Sequence, residues 1–322
     1  MEAFFNSMPN AFGQGLCWGI MAIGVYITYR ILDIADLTVD GSLATGGAVC
    51  AIAITIFKLD PWVALLLAMI AGMAAGLVTG LFHTVCGIPA ILSGILTQLA
   101  LYSLNLRILA IGIDAPTNAN VSLQSRFSDY KVLISSLYIR EFSFTDGAIL
   151  KNPLVLLVVI VAVVIGILYW LFGTELGSGL RATGANANMA RAQGINTNLG
   201  KVLGLAISNG LVAVSGALLA QYSGGASVDM GKGAIVIGLA AIIIGEVLLE
   251  KVFRNFALKL TTCVIGAIMY YIVITFVLRL GLESSDLNLL TALVVALFLA
   301  VPYWKGKYFK KRVKGGALHA GH

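Results

Sequence analysis

The feature that most restricts this chain is a succession of apolar runs, each near or beyond the ~20 residues that cross a ~30 Å hydrocarbon core, with polar breaks between them. Nine such runs can be read, at 13–32, 41–57, 62–83, 90–112, 153–172, 199–222, 234–249, 260–280 and 289–304, with eight or ten as alternatives. Apolar residues fill 59% of the 322 positions, charged residues only 11%, and the mean hydropathy is +0.95. A globule of this size has too little interior to hide so much apolar matter. The expected fold is an all-α polytopic membrane bundle over 1–304, followed by a basic tail over 305–322.

The polar breaks orient the bundle. Lys305, Lys307, Lys310, Lys311, Arg312 and Lys314 hold six of the 21 basic residues, so the rest of the chain balances its 15 acidic ones. A basic cluster just past an apolar run is a cytoplasmic signal and a contact for anionic lipid, not for nucleic acid. With the tail inside, the breaks at 84–89, 173–198 and 250–259 also fall inside, and the long loop at 113–152 falls outside. Within 173–198, Asn186 suits a helix N-cap, 187–193 are mostly good helix formers, and Gly194 suits the left-handed residue that ends a helix. Such a short helix needs a surface to lie on.

Inside the spans, Gly72, Gly76 and Gly80 recur at four-residue intervals, the spacing that lets a second backbone approach closely. Arg30, Asp33, Asp36 and Asp40 share one face if the first helix continues, although Asp40-Gly41-Ser42 invites a break. Polar side chains within spans face the bundle interior or a water-filled cavity. On that ground Asp36, Asp40, Gln98, Tyr102, Asn105 and Asn209 are candidates for a translocation path, the competing reading being plain interhelical hydrogen bonds. Glu246, Glu250 and Arg254 read as an ion-pair set at one helix end, and 224–233 reads as a glycine-rich outer turn.

No catalytic constellation is present in the sequence, and neither the four cysteines nor the three histidines have metal-ligand spacing. The nearest approach to a phosphate-binding loop, 225–233, has five residues between its glycines, and glycine where Ser or Thr must hold magnesium. No cofactor is therefore expected on this chain.

Arg181-Ala182-Thr183-Gly184-Ala185-Asn186, then Ala190-Arg191 and Gly194-Ile195-Asn196, resemble the cytoplasmic coupling loop of bacterial ABC-importer permeases of the ribose and branched-chain amino acid type. Asp36-Leu37-Thr38-Val39-Asp40-Gly41-Ser42 resembles that family's entry to its second helix. Within the family, the chain looks closest to permeases of tryptophan/tyrosine-type uptake systems. The EAA signature of maltose-type permeases is absent in its usual form.

The resemblance implies a homodimeric permease in the bacterial cytoplasmic membrane. ATP and magnesium would sit on a separate ABC ATPase, and an extracytoplasmic substrate-binding protein would deliver a small solute, an amino acid by family likeness. It further implies that Arg181, Asn186, Met189, Ala190, Arg191 and Gly194 couple the chain to its ATPase. The alternative class is a secondary transporter, disfavoured in the sequence because acidic residues are scarce mid-span and no paired interrupted helices are evident in matching halves.

Overall fold

The computed structural model describes residues 8–113, 115–123, 132–134, 153–249, 255–279 and scattered positions between 289 and 300. In chain order its helices and strands begin with α1 (Met8–Tyr26, running on through a π-helical turn, Ile27–Ile31), α2 (Thr38–Thr55), α3 (Pro61–Thr84), α4 (Ala90–Ile108) and β1 (Asn120–Ser122). They continue with α5 (Pro153–Gly173), α6 (Glu175–Ala185), α7 (Ala187–Ala192), α8 (Thr197–Ser223), β2 (Gly225–Ser227), a 3-10 turn (Val228–Gly231), α9 (Ala234–Leu249) and α10 (Phe256–Arg279). Among the described residues, eight helical segments are long and apolar enough to cross a membrane. Of the ninth expected span, 289–304, only scattered positions are described, and the basic tail lies outside the described residues.

Close packing of small residues sorts the long helices into two groups. Gly72, Gly76 and Gly80 of α3 lie along α8, where an added methyl would strike the carbonyls of Asn209 and Leu205 and the backbone of Val202. Gly46 of α2 meets the backbone of Ala213, and Gly216 of α8 meets the carbonyl of Leu43. On the other side, Gly15 and Gly19 of α1 pack on Ile268 and Val264 of α10, while Gly245 and Gly266 bring α9 and α10 together. The groups α2/α3/α8 and α1/α9/α10 meet where α1 crosses α8. There Ser208 Oγ donates to the Gly24 carbonyl (2.7 Å) and Ser215 Oγ to that of Cys17 (2.8 Å). In lipid, association has to come from such contacts, because burying apolar surface away from acyl chains gains little.

The middle of α3, at Gly72, rests on the middle of α8, at Asn209, which defines mid-height in the bundle. Two segments lose helical form at that level. Residues 32–37 leave α1 through Asp33, whose φ is +55°, pass Gly204, and reach Asn209, where α2 begins. The sequence reading had placed Arg30, Asp33, Asp36 and Asp40 on one helical face or put a break at 40–42. The break instead precedes α2, because the Asp36 carboxylate accepts the Thr38 N–H (2.9 Å) and starts a new helix there.

The second interruption follows α8. The stretch 224–233, expected as an outer turn, pairs β2 antiparallel with β1 and then descends as the 3-10 turn until Gly231 meets the carbonyl of Asp40. From there α9 runs toward the α6–α7 end, opposite to α2, its Gly238 against Met21 and Val25. Both stretches join spans that run in opposite senses, α1 to α2 and α8 to α9, so each is a re-entrant connection and not an interrupted span. Unwound backbone at this depth is tolerated only where protein or water surrounds it.

Candidate functional site

The polar side chains of four helices and the 32–37 segment converge at mid-height and below it toward the α6–α7 end. Asp36 Oδ2 accepts Asn209 Nδ2 (2.7 Å), and Asn209 Oδ1 accepts Ser42 Oγ (2.6 Å). Beside them Thr38 Oγ1 lies 2.8 Å from Thr79 Oγ1, which is 2.9 Å from Thr97 Oγ1. All of these residues are buried. Asp40 does a different job: its carboxylate accepts N–H groups of Gly233 (3.1 Å) and Ile235 (3.0 Å), capping α9 and meeting the positive end of its dipole.

Of the six residues read from the sequence as a path, Asp36 and Asn209 belong to a closed interhelical network and Asp40 is a cap. The other three stand on α4. Gln98 is half-buried beside Gly41, Tyr102 is 46% exposed, and Asn105 is buried with Nδ2 3.5 Å from the Gly41 carbonyl. Asn105 Oδ1 has no donor among the described residues.

The tract between α5 and α8 folds as two helices where the sequence suggested one. Thr174 caps α6, accepting the Gly177 N–H at 3.4 Å, and Leu180 and Thr183 turn inward. The missed signal was Gly177, Leu180 and Thr183 at three-residue intervals, the face the helix buries, with Glu175 in its first turn. Gly184 sits directly on the carbonyl of Ile31. Helix α7 has the expected caps: Asn186 Oδ1 accepts from Asn188 (3.1 Å) and Met189 (3.0 Å), and Gly194 is left-handed at φ +81°.

Met189 is 63% exposed, whereas Ala190 is only 4% exposed and faces back into the protein. Ala190 is thereby removed from any offered surface. Arg181 and Arg191 are exposed but anchored, Arg181 Nη2 to the Phe172 carbonyl (2.7 Å) and Arg191 Nε to Thr197 Oγ1 (2.7 Å).

At the same end of the bundle, Arg30 forms a bidentate ion pair with Glu246, its Nε 2.8 Å from Oε1, tying the end of α1 to the last turn of α9. Of the helix-end set read from the sequence, Glu246 pairs with Arg30, and Glu250 and Arg254 lie outside the described residues. Arg30, Arg181 and Lys259, with Tyr26, Gly184 and Phe256, line a cavity of about 450 Å³. Cys17, Cys50 and Cys263 are buried, but Cys86 in the α3–α4 turn is exposed.

The sequence reading put Asp229 and Lys232 in an outer loop. They pair at 2.8 Å on the 3-10 turn, which α4 touches. A signal was available: Thr38-Val39-Asp40-Gly41 and Ser227-Val228-Asp229-Met230-Gly231 are similar strings, and each opens a helix at mid-height.

Apolar spans that come apart at mid-height around polar side chains are the architecture of a multi-pass solute permease. The sequence profile described as branched-chain amino acid transport system / permease component matches residues 7–302, and the chain belongs to that family. It is 40% identical over 287 residues to the tyrosine transport system permease protein of Clostridioides difficile (strain R20291), covering 89% of this chain and 88% of that one. An uncharacterized protein of Rickettsia prowazekii (strain Madrid E) is 35% identical over 297 residues, covering 92% and 97%. PsaBC from Streptococcus pneumoniae, solved in complex with Fab, shares the fold at a TM-score of 0.53 and 17% identity, over 96% of this chain and 99% of that one.

Proposed function

We propose that this chain is the membrane-spanning subunit of an ATP-driven importer of an amino acid, working as a homodimer in the bacterial cytoplasmic membrane. The α6–α7 end faces the cytoplasm, where a separate ABC ATPase binds ATP and magnesium. An extracytoplasmic binding protein delivers solute at the β1–β2 end. The observation that carries this reading is α7 itself: a six-residue helix, capped at its start by Asn186, that presents Met189 outward while Ala190 seats it on the bundle. An exposed methionine on a short anchored helix suits insertion into a groove of a partner. The name of the Clostridioides difficile relative supports tyrosine or a similar amino acid as cargo.

The test is co-purification with a candidate ATPase and measurement of ATP-dependent uptake in proteoliposomes. Met189→Asp is expected to lower uptake and ATPase stimulation by about tenfold or more, as a charge forced into an apolar contact does, without lowering the amount of protein in the membrane. Unchanged coupling rejects the assignment.

The two re-entrant connections, which bring unwound backbone into the bundle, favour a second reading, a secondary transporter with a midplane site. Asp36 and Asp40, however, are both committed to helix N-termini. Uptake driven by an ion gradient with no ATPase present would establish that alternative.

A further inference from the structure

We propose that Asp229 and Lys232 form a subsite for the charged main-chain end of a passing amino acid, the ammonium at Asp229 and the carboxylate at Lys232. The proposal rests on the importer reading above and starts from where the two side chains lie. Gly231 packs on the carbonyl of Asp40, and Gly233 N–H is held by the Asp40 carboxylate at 3.1 Å. Lys232 lies between them. Asp40 stands two residues before Ser42, which bonds Asn209 in the middle of α8. The backbone of Lys232 is therefore at mid-height, and a lysine stem covers less than half of the ~15 Å from there to the headgroups.

The side chains are nonetheless open, 70% exposed for Lys232 and 59% for Asp229. Two charges at that depth do not face acyl chains at tolerable cost, so this face turns toward a wet cavity. An exposed pair at i, i+3 adds little to stability, which leaves its presence unexplained by folding.

The chemistry fits a zwitterion. The pair is in contact at 2.8 Å, and an α-amino acid carries its ammonium and carboxylate one carbon apart. Each protein charge can exchange its partner for the opposite end of the ligand, and no net charge enters the centre of the bundle. Sugars and nucleosides lack both groups and gain nothing from the exchange. The turn is fixed by the Asp40 cap, and the half-buried Gln98 and the exposed Tyr102 are carried by α4, the helix that touches it. These give side-chain contacts next to a main-chain reader.

The experiment uses the whole transporter, this chain with its ATPase and binding protein, in proteoliposomes given ATP and a labelled mixture of the proteinogenic amino acids. Lys232→Gln and Asp229→Asn are each expected to cut uptake about tenfold, as loss of a charge-assisted contact does, with melting temperature unchanged. Lys232→Arg is expected to keep most of the uptake. Lys232→Cys is expected to react with a membrane-impermeant methanethiosulfonate, more slowly when the amino-acid mixture is present. Wild-type rates in Lys232→Gln and Asp229→Asn, or an unreactive Lys232→Cys, overturn the subsite and leave the importer reading standing. No uptake of any amino acid by the wild-type assembly overturns both.

Discussion

Asn209 uses both of its amide donors and one acceptor site of its oxygen. Its amide donates to the Asp36 carboxylate and to the Leu205 carbonyl, and its oxygen accepts from Ser42. Asn209→Ala leaves a buried carboxylate short of a donor, and the expected cost is about 3 kcal/mol, against about 1 kcal/mol for Ser42→Ala. Thermal melts of the purified protein in detergent read both, and equal effects would contradict the network. That polar residues such as Asp36 and Asn209 sit inside was legible in the sequence, because an amide or carboxylate in an apolar run has few other places to go. Their roles were not legible: the bond from Asn209 to Asp36 spans 173 residues and depends on the register between two helices. No local pattern encodes that register.

Among the elements, α3 shows how closely the glycines are used. Gly76→Val drives a branched side chain into the Leu205 carbonyl, a backbone atom that cannot swing aside, and folded protein is expected to be lost in size-exclusion profiles after extraction. Gly166 of α5 has nothing within 4 Å of an added methyl, so Gly166→Ala is expected to be neutral or to gain about 0.5–1 kcal/mol of helix stability. The three glycines of α3 could be read from their spacing alone, as could α7 from its caps. The unwound stretch 32–37 could not, since nothing in Leu32 to Leu37 breaks the apolar pattern except two aspartates, one of which, Asp33, turns left-handed. Likewise 224–233 looked like a surface turn because glycines are common there. In this protein they let Gly231 come down against the carbonyl of Asp40.

For the molecule as a whole, sidedness can be read out with a thiol that is already present. Cys86 is exposed in the α3–α4 turn, at the same end of the bundle as α6 and α7, while Cys17, Cys50 and Cys263 are buried. A membrane-impermeant maleimide is expected to label Cys86 in inside-out vesicles and to leave intact cells unlabelled; the reverse result would invert the whole topology. The order of spans and their grouping of basic breaks at one end were plain in the hydropathy. The division into two glycine-packed groups was not, because helix pairs such as α1 with α10 are far apart in the chain. One contact gives this division a mechanical side. Gly184 is the point where the tract bears on α1 with no side chain between them, and it bears on Ile31, the last residue before the helix gives way to 32–37. A shove on the tract is thus delivered to the hinge itself with nothing compressible in between, so even a small shift at the rim should reach Asp36 almost undiminished.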